Sequence, residues 1–373
     1  MASTLSEQQL SPLRQQLLNW FAEEKRDLPW RKTDEPYAIW VSEVMLQQTQ
    51  TRKVLEYYDR FLQKFPSIRA LARAELDDVL KAWEGLGYYA RARNLHRAAK
   101  EIVASHGAKI PADYDTLCQI NGIGPYTAAA VSSIAFGQPK AVVDGNVIRV
   151  LSRLLLIDKN PKEKSTKASI SDSAQRLLDT TAPGDFNEAM MELGATICTP
   201  RKPKCLLCPI SDFCQAYQKL EDPSRLPVKP PKRNVPHFNL AAALIWDEGF
   251  VFINRRQENG LLGGMWEFPG VKLENGQSPQ EAIKQEMLED INLEVEVGDF
   301  FMEVKHAYSH FKITLHVYHC LFKDGEPRLT TATDWRWVKP NELKYYAFAT
   351  ANKKVINKLE AEYVPALRAS RSG

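Results

Sequence analysis

The spacing of hydrophobic residues changes along this 373-residue chain. From about residue 8 to residue 220, apolar positions recur three and four residues apart, between short turns rich in Gly, Pro and Asp. This spacing aligns apolar side chains on one face of a helix. The sequence therefore predicts an all-helical first domain.

Beyond residue 236 the spacing is that of strands. Residues 238–246 and 250–254 are short apolar runs, and residues 311–318 alternate apolar and polar positions as a half-buried strand does. Helices are predicted at residues 278–290 and near residues 351–362. The second part is therefore expected to be a mixed α/β domain.

Residues 222–236 separate the two patterns. The segment contains five prolines and four Lys or Arg residues, a composition typical of a semi-extended linker. The predicted organisation is a helical domain over residues 8–220, a linker over residues 221–236 and a mixed α/β domain over residues 237–365. The chain has no evident internal repeat or low-complexity tract.

The composition supports two folded domains, since 44% of the residues are hydrophobic and the length suffices for two ordinary cores. A net charge of +3 gives no global sign of a nucleic-acid partner. Basic residues are nevertheless concentrated in two places: Arg91, Arg93, Arg97 and Lys100, and then Arg201, Lys202 and Lys204. Such groups contact phosphates or simply form solvated faces.

Four of the six cysteines lie in one short segment, with the spacing C-x6-C-x2-C-x5-C: Cys198, Cys205, Cys208 and Cys214. Thiolates at this density usually hold a metal or an iron–sulfur cluster. The alternative is two disulfides, which belong to oxidising compartments. No N-terminal stretch resembles a secretion signal and no apolar window is long enough to span a bilayer. We therefore expect a cytoplasmic, nucleoid-associated protein without membrane contact.

A helix is predicted to begin after Pro36, and it contains the carboxylate of Glu43. Its buried stripe is predicted to consist of Tyr37, Trp40, Val41, Val44 and Met45. Leu46 and several glutamines share the other side with Glu43: Gln47, Gln48 and Gln50. A solvated face explains Glu43 well, but it does not explain so many amides in one turn, so a pocket is the alternative.

Gly122 and Gly124 precede an alanine-rich run that predicts a helix. Two glycines at this spacing permit a tight turn, and the N–H groups of such a turn and helix start form an anion site. A sharp helix–helix turn without a ligand is the alternative. Further along, Asp144 directly precedes an apolar helix and is predicted to be its N-cap.

Glu43, the glycine turn, Asp144 and the four cysteines occur in an order that resembles the endonuclease III superfamily of helix-hairpin-helix glycosylases. The resemblance covers about residues 8–365, and within the superfamily the chain is similar to the members that remove adenine from DNA. It implies a helix-hairpin-helix glycosylase domain with an iron–sulfur loop. It also implies one [4Fe–4S] cluster, held by Cys198, Cys205, Cys208 and Cys214.

The substrate implied by the resemblance is double-stranded DNA containing adenine opposite 8-oxoguanine, and the enzyme would be a monomer. Lyase members of the superfamily have a lysine two residues after the last hairpin glycine, where it forms a Schiff base with the sugar. This chain has Tyr126 there. Tyrosine cannot form an imine, so a hydrolase without strong lyase activity is expected.

Roles for individual residues follow from the same resemblance. Glu43 would protonate adenine, Asp144 would stabilise the sugar cation or trap it covalently, and Asn146 and Tyr126 would support them. The adenine pocket would consist of Trp30, Arg31, Leu46 and Glu188. DNA contacts are implied for Gln48, Tyr88, Gly122, Gly124, Arg91 and Arg201. Alternatively, Trp30 and Leu46 are ordinary core residues and Glu188 is an exposed helix carboxylate.

Residues 270–293 resemble a worn Nudix box in the second domain. Gln285, Asp290 and Asn292 stand where a working box has Arg, Glu and Gly. The resemblance therefore implies a Nudix-like fold without nucleotide hydrolysis, with a Mg²⁺ site on Glu286, Glu289 and Asp290 as the alternative.

The loop at residues 306–310 matches a lesion-recognition motif of the same superfamily members. The residues implied in contact with 8-oxoguanine are Tyr308, Ser309 and His310. A serine hydroxyl both donates and accepts hydrogen bonds, which suits N7–H and O8 of the oxidised base. A simple turn serine between two strands is the alternative for Ser309.

Three other functions stay open at this point. A nucleotide pyrophosphatase with a DNA-binding arm would need the box that this chain has lost. A non-catalytic iron–sulfur redox sensor that binds DNA would leave the pairing of Glu43 with Asp144 unexplained. A thymine glycosylase for G·T pairs would have no need for the lesion-reading domain.

Overall fold

A computed structural model describes residues 5–228, 234–274, 276–308 and 310–369 of the protein, and for residues 363–369 it describes the backbone alone. The chain divides into two compact units. The first contains Met1–Arg73 and Asn94–Lys232, and the second contains Ala74–Arg93 and Arg233–Gly373. The predicted linker falls partly on residues 229–233, which lie outside the described residues.

The first unit is helical in its described part. Its helices are α1 (Glu7–Glu24), α2 (Pro36–Leu46), α3 (Thr51–Lys64), α4 (Ile68–Arg73), α6 (Ala90–Ser105, which begins in the second unit), α7 (Tyr114–Gln119), α8 (Pro125–Ile134), α9 (Gly145–Leu154), α10 (Lys164–Leu177), α11 (Pro183–Thr196) and α12 (Gln215–Lys219). Apolar faces of α1, α9, α10 and α11 form one core, which includes Leu13, Leu151, Ile170 and Phe186. Burial of these faces stabilises helices that would be marginal alone.

Helix α2 differs from its predicted environment. The expected stripe is buried, but so is every other side chain from Tyr37 to Met45, including Ser42 and Glu43. The prediction of a solvated face for Glu43 is therefore wrong. A helix buried on all sides is hydrophobic all round, and α2 meets this description except at Ser42 and Glu43.

The second unit contains α5 (Leu76–Trp83) and a mixed seven-stranded sheet. Its other elements are β1 (His237–Asp247), β2 (Phe250–Arg256), β3 (Trp266–Glu267), β4 (Gly270–Lys272), α13 (Pro279–Glu286), β5 (Glu294–Ala307), β6 (Lys312–Asp324), β7 (Ala332–Val338) and α14 (Thr350–Ala369). The central path runs β3-β2-β1-β6-β5; β4 also pairs with β1, and β7 with β2. Strands β1 and β6 are parallel, whereas the remaining pairs are antiparallel.

Successive side chains of β1 point to opposite sides of the sheet, and both sides of this strand are buried, each under a different helix. Ala242 and Leu244 join a core with Val355 of α14, whereas Ala243 and Ile245 join a core with Ile283 of α13. This accounts for the nearly continuous apolar run in β1, since a strand covered on both faces does not alternate. No helix in the described part of the chain has the length and apolar character needed to cross a membrane.

Candidate active site

Glu43, Tyr126, Asp144 and Asn146 line one cavity of about 120 Å³ in the first unit. Glu43 lies on α2, Tyr126 is in the first turn of α8, and Asp144 caps α9. The Tyr126 hydroxyl donates a hydrogen bond of 2.6 Å to Oε2 of Glu43. The fold thus brings together two carboxyl groups that are about a hundred residues apart in the sequence.

Glu43 is only 4% exposed. Burial raises the pKa of its carboxyl group to about 7, and the negative charges of Glu188 and Asp144 add to this increase. The hydrogen bond from Tyr126 and the charge of Arg31 act in the opposite direction. A carboxylic acid with a pKa near neutrality can hold a proton and give it to a substrate at physiological pH.

Asp144 has a different environment. Its Oδ1 accepts the backbone N–H of Val147 at 2.7 Å, and its Oδ2 accepts the amide of Asn146 at 2.8 Å. Burial raises the pKa of Asp144, while these hydrogen bonds and the charge of Arg149 favour the ionised form. The N-cap predicted from the sequence is present, and its capping hydrogen bonds are the interactions that hold a negative charge in the cavity.

Arg149 was not singled out in the sequence, although it connects two parts of the site. Its Nη2 donates to Oδ1 of Asn146 at 2.8 Å, and its Nε donates to the carbonyl oxygen of Cys198 at 2.7 Å. Arg149 follows Asn146 by three residues, so both lie on one face of α9. That spacing was the available signal.

The other four pocket candidates, Trp30, Arg31, Leu46 and Glu188, also line the 120 Å³ cavity. Glu188 is not an ordinary exposed helix carboxylate, because its side chain is only 16% exposed and pairs with Nε of Arg31 at 3.0 Å. Burial raises the pKa of Glu188, and Arg31 opposes this increase.

An ion network in the wall of the same cavity was missed by sequence reasoning. Glu192, which is 1% exposed, accepts Nη2 of Arg31 at 2.9 Å and Nε of Arg26 at 2.6 Å. Burial acts to raise the pKa of Glu192, but the two guanidinium groups outweigh it and the pKa is lowered. Glu188 and Glu192 are four residues apart on α11, the spacing that places two side chains on one helix face.

The turn before α8 has the geometry expected of a hairpin. Gly122 has φ +98°, and a Cβ atom there would lie 2.6 Å from the carbonyl oxygen of Asn94. Any larger residue would have to displace that backbone. Gly124 has φ −90° and is the N-cap of α8, so its own conformation does not require glycine. Backbone N–H groups at this helix start are available to an anion.

Cys198, Cys205, Cys208 and Cys214 line a second cavity of the first unit, together with Arg153. None of the six cysteines, all within the described residues, forms a disulfide, which argues against the disulfide alternative. Arg153 is 2% exposed; its Nη1 lies 3.2 Å from the sulfur of Cys198 and donates to the carbonyl oxygen of Thr199 at 2.8 Å.

The chemistry of this cavity fits an iron–sulfur cluster. Burial raises the pKa of the Cys208 thiol to about 12 and also raises the pKa of Cys205 and Cys214. These thiols therefore lose their protons only when a nearby positive charge offsets the effect of burial, and bound iron supplies such a charge. No three His, Cys, Asp or Glu side chains in the described ranges form a group that could hold one metal ion. The four cysteines share a cavity instead.

The proposed DNA contacts are distributed over both units. Gln48 and Arg201 are exposed in the first unit, and Gln48 has φ +55°. Tyr88 and Arg91 belong to the second unit, where the Arg91 guanidinium lies 5.6 Å from the Tyr88 ring centroid. Burial lowers the pKa of Arg91 to about 10. A positive φ at a residue other than glycine is uncommon, and both Gln48 and Tyr88 have one.

Tyr308 and His310 line a cavity of about 480 Å³ in the second unit. The Tyr308 ring stacks on Phe311, with centroids 4.6 Å apart and an interplanar angle of 18°. Ser309 lies outside the described residues, so its predicted contact with the lesion stays a prediction.

The Nudix-like helix keeps its shape without the residues of a working box. Gln285 donates to Glu289 at 2.9 Å, and Asp290 accepts the hydroxyl of Thr331 at 2.8 Å. Asn292 adopts φ +61°, the left-handed conformation for which the consensus glycine is suited. Asparagine tolerates this conformation better than most residues, which explains how the turn survives the substitution.

Three family models match the chain. Residues 41–176 match the HhH-GPD superfamily base excision DNA repair protein, residues 198–214 the iron-sulfur binding domain of endonuclease III, and residues 241–358 the NUDIX domain. The predicted fold class is thereby confirmed: a helical helix-hairpin-helix domain with an iron–sulfur loop, followed by a mixed α/β Nudix-like domain.

Curated relatives cover most of the chain. The adenine DNA glycosylase of Rattus norvegicus is 38% identical over 404 residues, spanning 94% of this chain and 78% of the relative. That of Homo sapiens is 37% identical over 402 residues, spanning 93% and 74%.

Among solved structures, a thermostable thymine-DNA glycosylase is 29% identical, with a TM-score of 0.51, covering 57% of this chain and 98% of its own. A non-covalent endonuclease III–DNA complex is 22% identical, with a TM-score of 0.50, covering 58% and 98%. The latter similarity supports the fold alone.

Proposed function

Because this chain belongs to the adenine DNA glycosylase family, whose reaction is hydrolysis of the N-glycosyl bond of adenine in DNA, we propose that its substrate is adenine opposite 8-oxoguanine. A·G pairs would be a secondary substrate. The observation that supports the proposed chemistry best is the shared cavity of Glu43 and Asp144, where burial raises the pKa of Glu43 to about 7.

Breaking this bond makes two electrostatic demands. Adenine is a poor leaving group until it is protonated, and the sugar left behind becomes an oxocarbenium-like cation. A carboxylic acid and a carboxylate together meet both demands, as in glycoside hydrolysis. Glu43 would act as the acid, since it is the more deeply buried of the two groups.

In this mechanism Glu43 protonates adenine, most favourably at N7, and its carboxylate then activates the attacking water. Tyr126 orients Glu43 through the 2.6 Å hydrogen bond. Burial raises the pKa of the Tyr126 hydroxyl well above its usual value, so the phenol stays protonated and remains a donor. A tyrosine at this position forms no imine with the sugar, in keeping with a monofunctional hydrolase.

Asp144 would stabilise the sugar cation or trap it covalently. The N–H of Val147 and the amide of Asn146 favour its charged form. The role of Arg149 is to orient the Asn146 side chain, because its guanidinium group donates a hydrogen bond to the amide oxygen. Asn146 can then present only its NH₂ group to Asp144.

Adenine must leave the duplex before it can enter the cavity, at a cost of a few kcal/mol. We propose that Gln48 and Tyr88 fill the vacated stack and that the hairpin at Gly122 and Gly124 binds a backbone phosphate. Arg91 and Arg201 would add phosphate contacts. Trp30, Arg31, Leu46 and Glu188 would surround the extruded base.

The iron–sulfur cluster would be of the [4Fe–4S] type, held by Cys198, Cys205, Cys208 and Cys214. When bound, it supplies a rigid charged centre around which the segment with Arg201, Lys202 and Lys204 folds toward DNA. The buried guanidinium of Arg153 holds the loop by its contacts with Cys198 and Thr199.

We expect the purified protein to contain four iron atoms per chain and to absorb visible light. Cys208→Ser should lower the iron content and weaken DNA binding, because it removes one of four ligands. The iron and zinc content, together with the absorption spectrum, would test this. Cys118→Ser is a matched control, since Cys118 lies outside the cluster segment. Stoichiometric zinc in the untreated protein would contradict the proposal.

Base release under single-turnover conditions would test the substrate assignment. Duplexes containing A opposite 8-oxoguanine, A opposite G, and T opposite G should be compared. We expect fastest release from the first, slower release from the second and none from the third. Faster release of thymine from T·G would instead favour a thymine glycosylase, the activity named for one structural relative.

Ser309→Ala is expected to reduce the preference for 8-oxoguanine over guanine about tenfold, because the proposed hydroxyl contact is with atoms that differ between the two bases. The ratio of dissociation constants for the two duplexes would measure this. Ser278→Ala, at the N-cap of α13, should leave the ratio unchanged. Equal preference in Ser309→Ala and the unmodified enzyme would remove this role from Ser309.

A further inference from the structure

Glu84 lies at the end of α5, and its side chain is only 8% exposed. Its Oε1 accepts the backbone N–H of Phe348 at 3.0 Å, and its Oε2 accepts the ammonium group of Lys353 at 2.9 Å. Hydrogen bonds to an ionised group are among the strongest in proteins, and removal of one partner from a buried pair is costly. Glu84 is therefore firmly attached to residues 348–353 of the second unit.

Lys81 completes this attachment. Its ammonium group donates to Oε2 of Glu84 at 2.9 Å and to the carbonyl oxygen of Tyr346 at 2.9 Å. The anchor consists of Glu84, Lys81 and Lys353, with the backbone of Tyr346 and Phe348. Phe348 is 1% exposed and stacks against Phe268, so the anchor rests on the core of the unit.

A second attachment lies nine residues further along the chain. Arg93 is 8% exposed, and its Nη1 donates to the carbonyl oxygen of Gly263 at 2.6 Å. Next to it, Gly264 has φ +72°, and a Cβ atom there would lie 3.3 Å from Cδ1 of Leu80. Residues 84–93 are thus held at both ends by the sheet domain of the second unit.

Between the two attachments the backbone is strongly constrained. Gly85, Gly87 and Tyr88 have φ values of +100°, +76° and +50°. The carbonyl oxygen of Gly87 accepts Nε1 of Trp83 at 3.2 Å and Nη2 of Arg91 at 3.0 Å. Strained conformations persist where the surroundings determine them. The result is a loop of defined shape that presents the Tyr88 ring, 36% exposed.

We propose that Glu84 is a positioning residue that fixes the Tyr88 loop to the Nudix-like domain. The domain that reads the lesion thereby also sets where the aromatic wedge enters the duplex. This inference rests on the proposed function, because it takes Tyr88 to be the residue that fills the stack when adenine leaves. In this proposal the Nudix-like domain controls base extrusion through Glu84 and the Tyr88 loop, without contacting adenine itself.

A positioning role for Glu84 predicts that its removal slows extrusion of adenine from the duplex but leaves cleavage of the N-glycosyl bond unchanged. Glu84→Ala removes the acceptor of the Phe348 N–H and leaves Lys81 and Lys353 without the carboxylate between them. Neither Glu43 nor Asp144 belongs to this anchor. We therefore expect Glu84→Ala to slow extrusion about tenfold, and Lys353→Met, which keeps the contacts of Glu84 with Lys81 and Phe348, to slow it about threefold.

Extrusion would be measured by stopped-flow fluorescence of 2-aminopurine placed opposite 8-oxoguanine, and adenine release by single-turnover assay on the matching duplex. The decisive comparison is with Tyr88→Ala. If Glu84 acts through Tyr88, adding Glu84→Ala to Tyr88→Ala should change extrusion by less than about twofold, because coupled residues are not additive. A merely structural effect of Glu84 would multiply with that of Tyr88.

Asp77→Asn is the matched control. Asp77 pairs with Arg255 at 3.0 Å and joins the start of α5 to the same sheet, but it lies at the opposite end of α5 from Glu84 and outside residues 84–93. It should leave extrusion unchanged. Thermal unfolding of each variant would identify loss of structure. If Glu84→Ala does not fold, the extrusion rate of Lys353→Met tests the proposed role of Glu84 instead.

A normal extrusion rate in Glu84→Ala would overturn the inference. If Glu84→Ala does not fold, a normal extrusion rate in Lys353→Met would overturn it instead. Additive effects of Glu84→Ala and Tyr88→Ala would also overturn it. A different result would contradict the proposed function: no release of adenine opposite 8-oxoguanine by the unmodified enzyme. Normal release by that enzyme together with unaffected variants would reject the role of Glu84 alone.

Discussion

Glu43→Gln is expected to reduce adenine release about a thousandfold while the protein still binds the duplex. Glutamine keeps the size of the side chain and can still accept the hydrogen bond from Tyr126, but it has no proton to give to adenine. General acid catalysis contributes roughly a hundred- to ten-thousandfold to such reactions. Single-turnover release and a binding titration on the same duplex would separate the two effects.

The pH dependence of the unmodified enzyme should agree with this role. Because burial raises the pKa of Glu43 to about 7, its acid form is lost as the pH rises through that value. The rate should therefore fall about tenfold per pH unit well above pH 7. Glu56→Gln, at an exposed helix position in the same unit, should be fully active. A Glu43→Gln enzyme with near-normal release would exclude Glu43 as the acid.

Asp144→Asn is expected to have an effect of similar size for a different reason. A carboxylate about 4 Å from a developing cation contributes on the order of 4 kcal/mol at an effective dielectric constant of 20, or roughly three powers of ten in rate. Asparagine abolishes that charge. Asp144 accepts hydrogen bonds from both Val147 and Asn146, whereas an asparagine side chain has only one acceptor oxygen. The variant therefore loses one of these two hydrogen bonds.

The fold should survive this substitution, because asparagine is as good an N-cap as aspartate. The thermal unfolding temperature and the dissociation constant for DNA should therefore change little while release is lost. Asp113→Asn offers a matched control, since Asp113 caps α7 through the N–H of Thr116 in the same way. Release by Asp144→Asn within tenfold of normal would remove the electrostatic role.

The two domains were predictable because each has its own hydrophobic period. The helical spacing before residue 220 and the strand spacing after residue 237 reflect local geometry, which neighbouring residues determine. The N-cap at Asp144 was predictable for the same reason. The buried surroundings of Glu43 were predicted only as an alternative, from the glutamines that follow it, since α2 also packs against α8, which is distant in sequence.

In the proposed mechanism, burial also decides which carboxylate acts as the acid. In the sequence Glu43 and Asp144 are two acidic residues of similar intrinsic pKa. Only the packing around α2, together with the hydrogen bonds at the start of α9, gives them different environments. The ion network of Arg26, Arg31 and Glu192 in the cavity wall likewise joins α11 to the segment before α2, and no local pattern predicts such pairs.

The sequence alone determined the family and the cysteine quartet and supplied the candidate reacting groups, because motifs and ligand spacing are local properties. It also placed tyrosine at the lyase position, and side-chain chemistry alone excludes an imine there. The tertiary structure decided the pKa of Glu43, the Arg149 connection and the attachment of the Tyr88 loop by Glu84 and Arg93. Each of these depends on desolvation or on hydrogen bonds between distant residues, which exist only once the chain has folded.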